Sequence, residues 1–338
     1  MKRAFLLSAL SMIALPVHGQ NLELALPTDN DALYRGDGAD FYQHIERDFH
    51  GEKSTPWEGG RYGFVRDPVS TSEGLIYTRF HEGIDIKPIQ RDIHGEPLDD
   101  IRAIADGKVV HANTVAGYSN YGKYIVIEHI FGGCPYYSLY GHLSEIAVTV
   151  GQRVSRGERI ARMGHTGAGI NRERAHVHLE LNLLLSSEFE GWHNRTFSDP
   201  NHNGIYNGIN LAGLDIARLL LELRKRPDLT IPQFLGEEET FYKVAVPDSS
   251  HFELRKRYPW MVSGSANARS WEISFARSGV PLKIEGRAEA VSGPTLTYVK
   301  KSGVDCSYLT RGTLTGRGAN VRLSKSGLDL MKLLTFPD

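Results

Sequence analysis

The sequence predicts a mainly β protein, an antiparallel β-sandwich or partly open barrel followed by a smaller β-rich domain. Between residues 107 and 185 the sequence contains many short runs of β-branched and aromatic residues, which are bounded by glycines and polar turns. Little helical periodicity separates these runs, which is typical of antiparallel sheets rather than of alternating strands and helices. Similar runs return after residue 241, beyond one amphipathic helical segment.

Five runs in the first half are predicted strands because each combines β-forming residues with glycine or polar residues at its ends. In chain order they are GKVVHANTV, YGKYIVIEHI, PYYSLYGHL, IAVTVGQRV and HVHLELNLLL. Residues 21–56 are mixed and form an N-terminal extension with one helical candidate, GADFYQHIERDF. Residues 57–225 are therefore assigned to the first domain.

A helix and a linker separate this domain from the second one. In LAGLDIARLLLELRKRPDL, apolar residues recur at helical spacing between residues 216 and 223, and Pro227 ends the run. Residues 226–241 include TIPQFLGEEE, whose proline and charge cluster are typical of a linker. Residues 242–338 form the second domain, with predicted strands FYKVAVP, SWEISFARSG, VPLKIEG and TLTYVKK and a final amphipathic stretch, GLDLMKLLTF.

The first 20 residues have the pattern of a secretory signal peptide. Lys2 and Arg3 precede an apolar run over residues 4–17, which ends in small or polar residues. No other segment approaches the ~20 apolar residues of a membrane span. We therefore expect an exported protein, in the periplasm or outside the cell, with no stable membrane span after signal removal.

The overall charge excludes one class of partner. The formal net charge of −1 gives no general attraction for nucleic acid or anionic lipid, so we expect no nucleic-acid partner. The sequence identifies no protein partner.

The histidines indicate where the chemistry lies. Twelve of the fourteen fall between His44 and His202. In HVHLE, residues 176–180, two histidines and a glutamate alternate with apolar residues, so a strand directs all three polar side chains to one face. In HEGID, residues 81–85, a histidine precedes an aspartate by four residues. Together the two motifs predict a site for a divalent metal, because imidazole and carboxylate groups are ligands that zinc prefers.

Five motifs occur in the order and approximate spacing of the LytM/lysostaphin-type zinc metallopeptidases: HEGIDI, ADGKVV, YGHLS, VTVGQRVSRGERIARMGHTGAG and HVHLE. Over about residues 57–210 the sequence resembles this family, peptidase family M23. The resemblance implies a β-fold of the duplicated hybrid motif type and one Zn²⁺ per chain. It also implies hydrolysis of peptide bonds of peptidoglycan, in stem crosslinks or interpeptide bridges.

The resemblance also implies roles for single residues. The implied zinc ligands are His81, Asp85 and His178, and the implied catalytic pair is His142 and His176. One of the pair takes a proton from the attacking water and the other stabilises the oxyanion or protonates the leaving amine, and the sequence does not assign the two roles. We expect Glu180 to orient a ligand rather than to bind zinc itself.

Two segments depart from the family pattern. The stretch before HVH reads GINRERAHVH, which is longer and more charged than the short turn of many members, and KPIQRDIHGEPLDDIRAI is also extended. Longer loops beside a groove change which peptide fits, so substrate choice is not carried over. We expect His94, in the second of these segments, to be exposed, and His129, within a predicted strand, to be structural.

Two other interpretations remain. A non-catalytic cell-wall binding or amidase-activating module of the same fold is expected to lack a metal or catalytic residue, and here all five positions are filled. Cysteine chemistry at Cys134, with His129 or His142 as base, lacks a helix start that lowers the thiol pKa. With Cys306 as the only other cysteine, a single disulfide or none is compatible with the sequence.

Overall fold

The computed structural model describes residues 22–264 and 267–336. The predicted signal peptide, residues 1–20, lies outside the described residues. The described chain is mainly β and nearly all its strand pairs are antiparallel, which confirms the predicted fold class. Among the described residues, no helix has both the length and the apolar character needed to cross a membrane.

The first strands of the described chain lie between Arg47 and Gly213. They are β1 (Arg47–Phe49), β2 (Glu52–Ser54), β3 (Gly63–Thr71), β4 (Gly74–His81), β5 (Ile84–Ile86), β6 (Asp100–Arg102), β7 (Gly107–Asn113), β8 (Tyr124–Phe131), β9 (Cys134–Gly141), β10 (Glu145–Ile146), β11 (Arg153–Val154), β12 (Arg159–Arg162), β13 (Val177–Leu184) and β14 (Leu211–Gly213).

The later strands are β15 (Tyr242–Pro247), β16 (Val262–Ser263), β17 (Ser270–Phe275), β18 (Pro281–Arg287), β19 (Thr295–Val299), β20 (Leu314–Thr315) and β21 (Arg322–Leu323). The α-helices are α1 (Gly38–Phe41), α2 (Phe189–Thr196), α3 (Ile216–Lys225), α4 (Ile231–Gly236), α5 (Leu254–Arg257), α6 (Cys306–Leu309) and α7 (Lys325–Thr335). Single 3₁₀ turns occupy Ala32–Arg35, Trp57–Gly60, Ala116–Tyr118, Gly204–Tyr206, Gly208–Asn210, Pro259–Met261 and Gly318–Asn320.

A seven-stranded sheet forms the centre of the first domain. Its order is β11-β7-β8-β9-β13-β14. The strand β5 pairs with the same edge of β13 as β14 does, but β5 lies at the N-terminal end of β13 and β14 at the C-terminal end. Every residue of β13 is buried. Because strands pair with β13 on both sides and its two faces are covered, its odd and even residues are held in fixed, opposite directions.

Two smaller sheets flank this central sheet. One is three-stranded with the order β10-β12-β6, and the other is the β3–β4 hairpin, which leads through His81 directly into β5. The hairpin is paired in register along most of its length, from Gly63 with His81 to Thr71 with Gly74. The hairpin ends at His81, the first of the candidate ligands.

The second β-rich region is a five-stranded sheet of order β16-β18-β17-β15-β19, with β16 parallel to β18. The four strands predicted there are confirmed as β15, β17, β18 and β19, and the amphipathic final stretch is confirmed as α7. The helix predicted between the domains is α3, whose N-terminus is capped by the Asp215 side chain.

Two predicted elements differ from the structure. The helical candidate over residues 38–49 is helical only in α1, because the chain then runs beside β5: the Gln43 N–H donates to Asp85 O and the Lys87 N–H donates to Phe41 O. The predicted strand over residues 146–154 is reduced to the ends β10 and β11, which belong to different sheets. Tertiary pairing overrides local propensity at both places.

One hydrophobic core joins the two β-rich regions. It contains residues of both, for example Leu179 and Phe252, and the segment predicted as a linker contributes α4, with Ile231, Phe234 and Leu235 buried. Thr230 and Gln233 form a capping box that starts this helix. The division of the chain into an extension, two domains and a linker concerns independent folding and stays a prediction.

Two hydrogen bonds tie the end of β13 to the second region, and in one of them Arg257 Nη1 donates to the Leu184 carbonyl oxygen at 3.2 Å. The hydroxyl oxygen of Tyr258, which is fully buried, accepts the Leu184 N–H at 2.9 Å. Tyr258→Phe leaves that buried N–H without a partner, so we expect the free energy of unfolding in urea to fall by about 1–3 kcal/mol. Tyr298→Phe is the matched control, since Tyr298 is 46% exposed. Equal effects of the two substitutions contradict this account of the contact.

Candidate metal centre

The strand β13 directs three polar side chains to one face. His178 and Glu180 lie on it and His176 immediately precedes it, while Val177 and Leu179 point into the core on the opposite face. All three polar residues are buried. The alternation predicted from HVHLE is present, and its polar face forms the floor of a groove.

The hairpin and β5 bring two further residues to this face. His81 is the last residue of β4, and Asp85 in β5 pairs in register with His178. Gly83, between them, has no room for a side chain: a Cβ there meets the Leu179 carbonyl oxygen at 2.3 Å. The glycine of HEGID is therefore required because the chain passes directly against β13.

Three ligand atoms converge in this cluster. His81 Nε2 lies 3.0 Å from His178 Nδ1, and Asp85 Oδ1 lies 2.9 Å from His178 Nδ1 and 3.1 Å from His81 Nε2. Ligands around a tetrahedral zinc ion stand about 3.3 Å apart, given bonds of about 2.0–2.1 Å. The three residues are also the one group of at least three His, Cys, Asp or Glu in the described chain with metal-binding geometry.

The outer nitrogen of each ligand histidine is held by an acceptor. His81 Nδ1 donates to the Arg61 carbonyl oxygen at 2.8 Å, and His178 Nε2 donates to Glu180 Oε1 at 2.8 Å. Neither acceptor can donate, so when the two rings are neutral their lone pairs lie on His81 Nε2 and His178 Nδ1, the nitrogens that face Asp85. This donor set, two imidazoles and one carboxylate, fits a zinc ion.

The two carboxylates beside His178 favour the protonated form of this residue, whereas burial lowers the pKa of His81. Burial lowers the pKa of His178, but hydrogen bonds to Asp85 and Glu180 outweigh it and raise this pKa to about 10. Burial raises the pKa of Asp85, yet the charges of His81, His176 and Arg66 hold it well below its usual value. Asp85 is therefore a carboxylate, and its second oxygen, Oδ2, accepts a hydrogen bond from Arg66 at 2.6 Å.

His142 and His176 lie side by side next to the cluster. Their ring centroids are 4.6 Å apart, and His176 Nε2 is 3.4 Å from Asp85 Oδ1. The Nδ1 of His142 donates to Thr166 O at 2.8 Å and that of His176 donates to Arg174 O at 2.6 Å. In each ring Nε2 is therefore the nitrogen that no backbone carbonyl oxygen holds, and in His176 it faces Asp85.

The backbone at His142 is held in the left-handed region, with φ of 61°. A bulky residue adopts this conformation only when its surroundings impose it. Here the His142 N–H donates to Tyr121 O at 2.7 Å and the ring is fixed by Thr166. The turn after β9 thus sets the position of the His142 ring.

Glu180 forms hydrogen bonds with three neighbouring side chains, including the ligand candidate His178. In addition to His178, its Oε1 accepts the Tyr121 hydroxyl at 2.8 Å, and its Oε2 accepts Asn182 Nδ2 at 2.9 Å. Burial raises the pKa of Glu180, but the hydrogen bond and charge of His178 outweigh it and lower this pKa overall. These contacts hold the Glu180 carboxylate between His178, Tyr121 and Asn182. Tyr121 and Asn182 were not anticipated from the sequence.

The cluster lies at the floor of an open groove with a volume of about 990 Å³. Four residues of its walls that sequence reasoning missed are Arg66, Arg79, Arg174 and Arg311. Arg311 comes from the second β-rich region, forms an ion pair with Glu82 and lies over the Phe80 ring. No sequence signal connects residues 229 positions apart, so only the folded chain shows that this region borders the groove.

Two other histidines that the sequence analysis considered, and both cysteines, take no part in the cluster. His94 is exposed, as predicted. His129 is fully buried, with Nδ1 on Asp106 O at 2.8 Å and Nε2 on the Ser138 hydroxyl at 2.7 Å, which confirms it as a structural residue. Cys134 and Cys306 are buried and unbridged, and burial raises the pKa of the Cys134 thiol, which disfavours a thiolate nucleophile.

The family assignment comes from sequence comparison. The profile described as Peptidase family M23 matches residues 79–189, which include all six residues of the predicted site. The chain contains a peptidase family M23 domain. The matched segment shares one hydrophobic core with the rest of the described chain.

Curated relatives match only part of this chain. An uncharacterized metalloprotease of Haemophilus influenzae is 36% identical over 130 residues, 38% of this chain and 22% of the relative. The murein hydrolase activator NlpD of Escherichia coli is 35% identical over 132 residues, 38% of this chain and 29% of NlpD. The peptidoglycan DD-endopeptidase ShyA of Vibrio cholerae is 47% identical over 60 residues, 18% of this chain and 13% of ShyA. The matches thus span less than a third of each relative.

The buried His129 predicts a dependence of stability on pH. Burial lowers its pKa to about 4, whereas an unfolded histidine takes up a proton near pH ~6.5. Between these values the unfolded chain binds more protons than the folded chain, so stability falls as the pH falls, by up to about 1.4 kcal/mol per pH unit.

Urea unfolding at pH 7 and pH 5 measures this effect. His129→Gln removes one titrating group, so we expect a smaller loss of stability between the two pH values than in the unmodified protein. His94→Gln, at an exposed position, is the control and should leave the loss unchanged. The account of His129 is wrong if His129→Gln shows the same pH dependence as the unmodified protein.

Proposed function

We propose that this protein is an exported zinc metalloendopeptidase that hydrolyses peptide bonds of bacterial peptidoglycan. The observation that carries the proposal is the convergence of five side chains on the floor of one open groove: His81, Asp85, His142, His176 and His178. Their donor atoms supply a three-residue metal site with two further imidazoles beside it. The name of ShyA, a peptidoglycan endopeptidase, supports the substrate class.

The proposed ligands are His81 through Nε2, Asp85 through Oδ1 and His178 through Nδ1. Three protein ligands leave a fourth position open, which is the arrangement of catalytic rather than structural zinc sites. When bound, zinc supplies Lewis-acid chemistry, acidifying water and polarising a carbonyl oxygen. Glu180 and the Arg61 carbonyl oxygen hold the two imidazoles in the required tautomers.

His142 and His176 carry the proton transfers in this proposal. Their Nδ1 atoms are occupied by backbone carbonyl oxygens, so each ring acts through Nε2. One ring takes the proton of the attacking water, and the other, protonated, stabilises the oxyanion and delivers a proton to the departing amine. The 4.6 Å between the ring centroids allows both to contact one reacting peptide group.

A non-catalytic binding or activating module is the second candidate. It is favoured by the relative NlpD, which is named an activator of murein hydrolases. The filled metal and proton-transfer positions support the enzyme instead, because an activator needs neither. Export rests on the signal peptide predicted for residues 1–20 and on the envelope substrate.

Two substitutions separate metal binding from turnover. His178→Ala removes a ligand, so we expect loss of both zinc and cleavage. His142→Ala leaves the three ligands intact, so we expect about one zinc per chain and a loss of at least about 100-fold in turnover. Elemental analysis measures the zinc, and mass spectrometry of digested peptidoglycan measures new amino termini, with and without chelator.

His94→Ala is the control histidine for both measurements, since His94 is exposed and takes no part in the cluster. Full activity of His142→Ala overturns the catalytic assignment. Chelator-insensitive cleavage overturns the zinc mechanism. Stoichiometric zinc without cleavage by the unmodified protein favours the activating module.

A further inference from the structure

Arginines dominate the charged walls of the groove. Arg66, Arg79, Arg174 and Arg311 line it, against two carboxylates, Glu82 and Asp85. Both carboxylates are already paired: Arg66 donates to Asp85 and Arg311 donates to Glu82. Two guanidinium groups are therefore left without a counter-charge beside the candidate metal centre.

Arg79 is the first of these groups. It is exposed on β4 and makes no ion pair, side-chain hydrogen bond or ring contact with the described residues. Its cross-strand partner in the hairpin is Arg66. Like charges directly opposite each other destabilise a strand pair, so local stability gives no reason for an arginine at position 79.

Arg174 is the second group. Its Nη1 donates to the Gly169 carbonyl oxygen at 2.9 Å, and its Nε is buried without a hydrogen-bond partner. The carbonyl oxygen of the same residue accepts the His176 Nδ1–H at 2.6 Å. The same residue, Arg174, thus supplies a guanidinium group to the groove and the backbone carbonyl oxygen that positions the ring of His176, a proposed catalytic residue.

Arg79 and Arg174 also line a smaller adjoining cavity of about 580 Å³. Its carboxylates are Glu46, Asp48 and Asp67, and its other cations are Arg47 and Arg66. Neither Arg79 nor Arg174 forms an ion pair with these acids, and one oxygen of Asp48 accepts the Gly51 N–H. The two cavities share a wall in which both unpaired guanidinium groups lie.

We propose that Arg79 and Arg174 form a subsite for a carboxylate of the substrate peptide. The inference deepens the proposed function and rests on it: the preferred substrate carries a free carboxylate near the scissile bond. A guanidinium presents paired N–H donors that match the two oxygens of a carboxylate, and charge-assisted bonds of this kind are roughly twice as strong as neutral ones. The carboxylate would also relieve the Arg66–Arg79 repulsion.

The test compares two synthetic crosslinked stem peptides that differ in one group, a free carboxylate or the corresponding carboxamide. For the unmodified protein we expect about tenfold higher kcat/KM on the carboxylate peptide, an advantage that decreases as salt is added. Arg79→Ala should reduce the ratio to about one, and Arg79→Lys should restore part of it. Arg174→Ala should act in the same direction.

Arg153→Ala is the matched control, because Arg153 is an exposed arginine on β11 outside the groove. It should keep the tenfold preference. If the unmodified protein cleaves both peptides equally, or if Arg79→Ala and Arg174→Ala keep the full preference, the subsite is contradicted while the proposed function stands.

Binding measured by fluorescence anisotropy of the labelled peptides gives a readout independent of cleavage. A protein that cleaves neither peptide contradicts the proposed function. In that case the carboxylate peptide should still bind about tenfold more tightly than the carboxamide, and Arg79→Ala should abolish the difference. Equal binding of the two peptides by the unmodified protein contradicts the subsite under either function.

Discussion

The position of His178 between two buried carboxylates is the interaction on which the site depends. One ring nitrogen faces Asp85 at 2.9 Å and the other donates to Glu180 at 2.8 Å. A buried carboxylate costs free energy unless it is paired. Asp85 and Glu180 therefore each need the His178 imidazole, or another cation in the position of that imidazole, beside them. The negative charge that holds His178 would also favour a cation at the groove floor.

The fold supplies this arrangement through one strand. β13 is paired on both edges and buried on both faces, so its polar side chains cannot turn away from the groove. The backbone N–H of Leu184, at the far end of β13, is held by Tyr258 from the second β-rich region, which also sends Arg311 to the groove wall. The second region therefore contacts the strand that carries the floor of the site and supplies part of its wall.

Much of the site follows from local sequence pattern. Period-two alternation in HVHLE fixes which residues share a face, and a glycine between His81 and Asp85 marks close chain approach. The groove walls do not follow from such patterns. Arg311 reaches Glu82 across 229 residues, and the expected helix over residues 38–49 gives way to pairing beside β5. A contact between two distant segments does not change the periodicity of apolar residues in either segment, so the sequence pattern does not reveal it.

Zinc K-edge X-ray absorption of the purified protein tests the central claim most directly, because it reports the atoms bound to the metal. We predict about one zinc per chain, with a first shell of nitrogen and oxygen atoms that includes two imidazoles, and loss of one imidazole in His81→Ala. A sulfur ligand, an unchanged spectrum in His81→Ala, or a protein that takes up no zinc contradicts the assignment of His81, Asp85 and His178.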